Sequence, residues 1–394
     1  MTDALMNSAP THTRLSAIFV SLELSRSTWL VTALSPASGE KMSKFSITAG
    51  DTAELLSRIS ILQDRAIQRT GYAYPITTIQ EAGLDGFWLH RVLMNEGIES
   101  NVVDPASITV SRRRRRAKTD RLDGEILLRT LMAYTRGEPH VCAMVHVPSA
   151  EEEDQRRISR ERKTLIGERV THVNRIKGLL YSQGVSGYEP LHRDRRKHLD
   201  ELKTGDGRDF PVHLKRQISR ELDRLELLLE HIKSVEADRN KFLLSQVKQT
   251  KEPQLEMLLA IKGIGAEVAT ILWTEALYRH SDNRRQIASY AGMAPTPWQS
   301  GSIDREQGVS KAGNPRLRVT LVQTPWLWLR HQPNSALSKW FRERTQANQG
   351  RRKKSTIVAL ALSNLPAEAT LKQLTSTSGW SGKLMPHVQF GPRK

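Results

Sequence analysis

Between residues 15 and 142, short β-rich runs alternate with helix-period runs in an order that leaves few ways to fold. Ala17 to Leu24 reads as a strand, and Thr28 to Leu34 follows as a second after a tight turn at Arg26 and Ser27. Lys41 to Thr48 alternates enough for a third strand, placed at an edge. Thr52 to Gln68 carries Leu55, Leu56, Ile59, Leu62 and Ile67 at helical spacing. Ile76 to Gln80 is a β-branched strand ending at Glu81, Gly86 to Glu96 is helical and stops at Gly97, and Asn101 to Val103 is a strand ending at Asp104-Pro105. Asp120 to Tyr134 then makes a helix with Leu122, Ile126, Leu127 and Leu131 inward. The order β-β-β-α-β-α-β-α predicts a mixed sheet with helices on both faces.

Downstream the pattern becomes helical. Ile218, Leu222, Leu225, Leu229 and Ile232 step by 4, 3, 4, 3, the a/d spacing of a coiled coil. Ile166, Val170, Val173 and Ile176 form a comparable stripe upstream, and the Gly- and charge-rich stretch from Gly184 to Asp209 reads as the tip of a helical hairpin. The seam fits a core stripe within one chain and a dimerisation face equally well. From Leu258 to Ala269 the chain reads as helix, turn, helix, with Gly263-Ile264-Gly265 at the turn. The fold class expected is α/β plus all-α: a sheet domain over 15–148, a helical coiled-coil domain over 149–250 and a helical C-terminal domain over 251–345. A flexible N-terminus (1–14) and a basic tail (346–394, with Arg351-Arg352-Lys353-Lys354) flank them.

Composition narrows the partner. With 60 Lys and Arg against 42 Asp and Glu, the net charge is +18, which favours a polyanion, because each neutralised phosphate releases condensed counterions. The 38% hydrophobic content keeps the chain globular. One cysteine, Cys142, excludes an internal disulfide framework and a Cys-rich zinc site, and its apolar setting suits an inert thiol. Met1 to Arg14 lacks an apolar signal core, and no run approaches membrane-spanning length. The expectation is a protein of the bacterial cytoplasm without membrane attachment.

The charges are concentrated where chemistry could follow. Arg112, Arg113, Arg114, Arg115 and Arg116 run into Lys118-Thr119-Asp120-Arg121-Leu122-Asp123. Five adjacent arginines repel one another unless an anion neutralises them, so nucleic-acid contact is favoured over a solvated linker. Asp120 and Asp123, three apart on a helix, project to one face, where a hard cation such as Mg²⁺ would relieve their repulsion; a solvated helix start is the plainer alternative. Glu23 lies on the strand face opposite Leu22 and Leu24, and Glu81 stands at a strand's carboxyl edge. Open α/β sheets place sites at such edges. Four acids converging there would make a two-metal site suited to phosphodiester displacement.

Glu23, Glu81-Ala82-Gly83, Val103-Asp104-Pro105 and Lys118-Thr119-Asp120-x-x-Asp123, in that order, resemble the RuvC-like N-terminal domain of a DEDD insertion-sequence transposase family guided by a structured bridge RNA. The likeness spans most of the chain. Ile261-Lys262-Gly263-Ile264-Gly265, Tyr290-Ala291-Gly292-Met293-Ala294-Pro295, Gln299-Ser300-Gly301 and Lys311-x-Gly313-Asn314-Pro315-Arg316-Leu317-Arg318 look like that family's C-terminal domain. One departure is Glu23, where the family usually has Asp. The resemblance implies an RNase H/RuvC-like sheet binding Mg²⁺ through Glu23, Glu81, Asp120 and Asp123, and Ser300 as a nucleophile toward DNA, with Ser302 the alternate. It also implies a structured guide RNA and a homodimer or homotetramer with a site shared between protomers.

Around Ser300, Lys311, Arg316 and Arg318 suit phosphates near a scissile bond. Gly263 and Gly265 look like a helix-hairpin-helix turn whose N–H groups could take a backbone phosphate, or a tight αα-turn with Ile261, Ile264 and Val268 as core. Trp298, Trp326 and Trp328 could stack bases, although core packing suits the latter two better. Two other functions remain in view: a RuvC-like nuclease using water in place of serine, and a non-catalytic basic nucleic-acid-binding protein.

Overall fold

The structure is a computed structural model that describes residues 15–36, 41–108, 120–250, 253–279, 281, 283–300 and 303–346. The chain divides into two compact units between Val147 and Pro148.

The first unit is a five-stranded sheet: β1 (Ile18–Glu23), β2 (Thr28–Leu34), β3 (Ser43–Thr48), β4 (Ile76–Glu81) and β5 (Glu99–Val103), in the order β3-β2-β1-β4-β5. β3, β2 and β1 pair antiparallel, whereas β1–β4 and β4–β5 are parallel. The parallel pairs need crossovers, which α1 (Thr52–Thr70) and α2 (Trp88–Asn95) supply. Asp51 caps α1 by accepting from the Glu54 N–H, and Gly71, at φ 76°, ends it. Alternation sorts the strand side chains onto two faces. Ile18, Val20, Leu22, Trp29 and Val31 pack with Leu55, Ile59, Leu89 and Leu93 of α1 and α2. On the opposite face Phe19, Leu34, Ile79 and Val103 pack with Leu127, Leu128 and Leu131 of α3 (Asp120–Thr135). The expected mixed sheet with helices on both faces is therefore observed. Cys142 packs at the edge of the α3-side core, and burial raises its thiol pKa.

In the second unit α4 (Ala150–Tyr181) and α6 (Val212–Ser245) run antiparallel as a hairpin. A Ser149–Glu152 capping box starts α4. Ile218, Leu222 and Leu225 are buried against Ile176 and Leu180 of the same chain, and Ile232 against Leu165. The 4-3-4-3 seam is thus consumed by α4. The stripe foreseen on α4 is shifted, because Val170 is exposed and Leu165 and Leu180 take the buried positions. At the tip, α5 (Arg195–Glu201) adds Leu199 to this core.

Beyond α6 come α7 (Pro253–Ala260), α8 (Ala266–Leu272), α9 (Arg284–Tyr290), β6 (Pro295–Ser300), β7 (Ile303–Val309), α10 (Pro315–His331) and α11 (Ala336–Gln346). Leu243 of α6 shares a core with Leu255, Leu258, Leu272, Ile287, Leu317 and Leu321. The C-terminal region is not wholly helical as expected. β6 and β7 form an antiparallel ribbon, which Pro295 and Pro297 conceal in the sequence. A register shift between those two prolines accommodates them in the ribbon.

Among the described residues no helix is long and apolar enough to cross a membrane.

Candidate active site

Register decides which acids can meet. Leu22 of β1 lies beside Gln80 of β4 in a parallel pair, so the next residues, Glu23 and Glu81, end adjacent strands side by side. Glu23 alternates with Leu22 and shares a face with Phe19 and Ser21; Glu81 shares a face with Ile79. Phe19 and Ile79 both belong to the core under α3. Both glutamates therefore belong to the α3 face at the carboxyl ends of β1 and β4.

α3 comes down on that face through Gly124. A Cβ there would lie 2.8 Å from Thr32 Oγ1, and 3.7 Å from both Glu23 Cγ and Ser21 Oγ. Ser21 Oγ donates to the Gly124 carbonyl at 2.7 Å, and Lys44 of β3 pairs with Glu125 in the same turn. This close approach brings the turn bearing Asp123, half-buried, onto the strand ends near Glu23. Gly124 positions this candidate site, and the sequence pattern alone does not single it out. Its signal is faint, a glycine inside a helix pattern directly after an acid, which normally costs helix stability unless close packing requires it.

Asp120 begins α3, but its side chain lies outside the described residues, as do Arg112 to Arg116 and Lys118 entirely. Asp104 caps a 3-10 turn through the Ala106 N–H. An all-carboxylate set suits a hard, oxygen-seeking cation in kind. Among the described residues, no three His, Cys, Asp or Glu side chains close on one point as a metal group.

In the second unit Ser300 is the last residue of β6, paired with Ile303 of β7. Its side chain lies outside the described residues, as do Gly301, Ser302 and the Trp298 side chain. The base of this ribbon is held by two glycines. The Lys311 N–H donates to Gly292 O at 2.9 Å, Asn314 N–H to Tyr290 O at 2.8 Å, and Ser310 N–H to Ala294 O at 2.9 Å. Gly292 (φ +67°) would set a Cβ 2.1 Å from Ala312 O, and Gly313 (φ +114°) one 2.3 Å from Tyr290 O. No side chain fits either place. Asn314 caps α10 with its Oδ1 and donates from Nδ2 to Glu275 Oε2 at 2.9 Å.

The basic residues of this unit divide by role. Lys311 is exposed with φ 57°. Arg318 donates to the carbonyls of Ala291 and Lys311, bracing the glycine contact. Arg316 is half-buried near Arg160 and Glu275; burial, then Arg160, lowers its pKa, and Glu275 opposes them. Gly263 (φ +94°) packs its turn against Leu327 of α10, and Ile264 enters the core there. Trp328 is buried with Nε1 donating to Ser335 Oγ, and Trp326 meets Phe341 edge-on at 6.2 Å.

Comparison with known proteins bears on both units. A DEDD transposase model of the IS110 group matches residues 32–183. The model described as "Transposase IS116/IS110/IS902 family" matches residues 255–364. The chain is 65% identical over 368 residues to y4rJ of Sinorhizobium fredii, a protein bearing a transposase name, covering 91% of this chain and 93% of that protein. It is 24% identical over 323 residues to the transposase for insertion sequence element IS1111A of Coxiella burnetii, covering 78% and 82% of the two chains. Glu81 and the glycine-braced ribbon lie within the two matched segments, Glu23 precedes the first of them, and the chain belongs to the IS116/IS110/IS902 family of insertion-sequence transposases.

Proposed function

We propose that this transposase cuts and rejoins DNA through a covalent phosphoserine at Ser300. Glu23, Glu81, Asp120 and Asp123 would hold Mg²⁺ in an RNase H/RuvC-like sheet. The observation that carries the reading is the register that ends adjacent parallel strands at Glu23 and Glu81, one residue past the Leu22–Gln80 pair, on the face where Gly124 seats α3. The DEDD domain itself suggests a divalent-metal requirement. Bound there, Mg²⁺ would neutralise crowded carboxylates and polarise the phosphate under attack.

The Ser300 hydroxyl would bond to phosphorus as the bond to the 3′ oxygen breaks. The hydroxyl proton would be lost to solvent and the departing 3′ oxygen would take one up. A different 3′ hydroxyl would then attack the phosphoserine, restoring Ser300 and joining the strands without net hydrolysis. Lys311, Arg316 and the Arg112 to Arg116 run would hold backbone phosphates, and the Gly263 to Gly265 turn would act as a helix-hairpin-helix contact. A structured RNA would choose the target, and the working form would be a homodimer or homotetramer.

The test is denaturing electrophoresis of the full chain incubated with its element ends, Mg²⁺ and the flanking transcript. Wild-type protein should give a protein–DNA adduct that Ser300→Ala lacks. An adduct that persists in Ser300→Ala sinks the nucleophile assignment. Free cleaved ends without an adduct would make water the nucleophile and the protein a nuclease.

A further inference from the structure

A cluster of charge lies where α4 passes the start of α10. Glu275, on the π-helical turn Trp273–Leu277, is 1% exposed. Arg160 Nε and Nη2 donate to its two oxygens at 3.1 and 3.3 Å. Arg156, one turn earlier on α4, is 5% exposed; its Nε donates to Thr274 O at 3.0 Å, and its guanidinium lies 4.0 Å from the Tyr278 ring centre. Arg316 follows two residues after Asn314, whose Nδ2 donates to Glu275 Oε2 at 2.9 Å, and Arg160 and Glu275 both act on its charge. Two buried donors in this cluster, Nη2 of Arg156 and Nε of Arg316, have no hydrogen-bond partner.

Three guanidiniums and one carboxylate thus gather where α4 meets the π-helical turn and α10, with Arg156 held by Thr274 and Tyr278 and Arg160 paired with Glu275. Such an excess is costly unless an anion answers it. The start of α10, a 17-residue helix, adds a field of the same sign. Arg160 keeps its side chain 37% exposed, so the cluster opens to solvent on that side. Planar guanidinium forks match the oxygen spacing of a phosphate, which a halide lacks.

We propose that Arg156, Arg160 and Arg316 form a seat for one phosphate group beside the start of α10, filled by a backbone phosphate of bound DNA. The DNA half of this statement rests on the transposase reading, whereas the seat rests on the cluster itself. Inorganic phosphate is the other source of the same chemistry.

Two measurements on the full chain separate these sources. The first is the slope of log K against log salt for binding an element-end duplex, in wild type and Arg316→Gln. Removing one phosphate contact should lower the slope by about one. Arg316→Lys, which keeps the charge, should restore much of it. The second is Tm in sodium phosphate against sodium chloride of equal ionic strength; phosphate should raise Tm in wild type and not in Arg316→Gln. An unchanged slope with the phosphate effect lost in the variant would overturn the assignment to DNA. An unchanged slope together with an unchanged phosphate effect would overturn the seat. Ser300→Ala should keep the wild-type slope, so failure of the serine chemistry would leave this result intact.

Discussion

Glu23 and Glu81 end strands in the middle of a five-stranded sheet, with hydrogen-bonded neighbours on both sides and two packed cores behind them. Ser300 ends a two-stranded ribbon, held at its base by Gly292, Gly313 and Asn314. In the sheet, strand register alone puts the acids side by side, and a single glycine admits the third element. In the ribbon, placement of the serine depends on a knot of main-chain bonds between segments some twenty residues apart. A site on a sheet takes its precision from strand register, whereas one carried on a narrow ribbon relies on the contacts that hold its base.

That contrast can be broken experimentally. The largest effect should come from Asp120→Asn combined with Asp123→Asn. Metal-dependent cleavage should fall on the order of a thousandfold, about 4 kcal/mol of barrier, while Tm stays near wild type. Unchanged cleavage would remove Asp120 and Asp123 from the chemistry, whereas a wild-type protein that itself shows no metal-dependent cleavage would favour a non-catalytic DNA-binding role. Next, Gly292→Ala should destabilise the second unit by about 3 kcal/mol, because its Cβ would press on a main-chain oxygen at a positive φ. Chemical denaturation reads this directly, and a loss under half that size would mean the knot yields easily.

Gly124→Ala sharpens the sheet side of the comparison. Its Cβ would press on the buried Thr32 hydroxyl at 2.8 Å, costing about 1–2 kcal/mol and weakening cleavage. Gly124→Ala with Thr32→Ala should recover both properties, since the obstruction is a side chain; Gly292→Ala has no such rescue, since there it is backbone. Failure of the double variant would mean that Gly124 matters for some reason other than space.

The smallest effect lies at the hairpin tip. The Arg196 guanidinium, helped by Arg195, holds the Glu226 carboxyl below its ordinary value of 4.5. A depressed carboxyl contributes stability above that ordinary value and loses it as pH falls through the lowered one. Acid titration of Tm should therefore show a modest decline beginning below about pH 4.5. Arg196→Gln should flatten it, and an identical decline in that variant would assign it to other groups.

Much of the first unit was legible in the residues. Val31, Ile47, Ile76 and Ile79 mark strands because β-branched side chains favour the pleated, half-buried surface. Leu22 beside Glu23 tells which face each side chain takes. The seam from Ile218 to Ile232 was equally legible as a seam, but its partner was not, since the same apolar stripe suits a helix of the same chain or of another. The β6–β7 ribbon was hidden by Pro295 and Pro297, which weaken a strand signal that only pairing with β7 can rescue. Gly124 carried almost no signal, because its role appears only against Ser21 and Thr32, some hundred residues earlier.

By itself the sequence determined what local chemistry can determine: the alternation of strands and helices, the acids at strand ends, the basic excess and the glycines that demand unusual backbone. Tertiary structure alone decided that Glu23 stands beside Glu81, that α6 folds back on α4, and that Arg160 pairs with a buried glutamate beside Arg156 and Arg316. The reason is physical. Periodicity and side-chain chemistry act over a few residues, whereas register and packing depend on which surfaces meet after the chain has closed long loops.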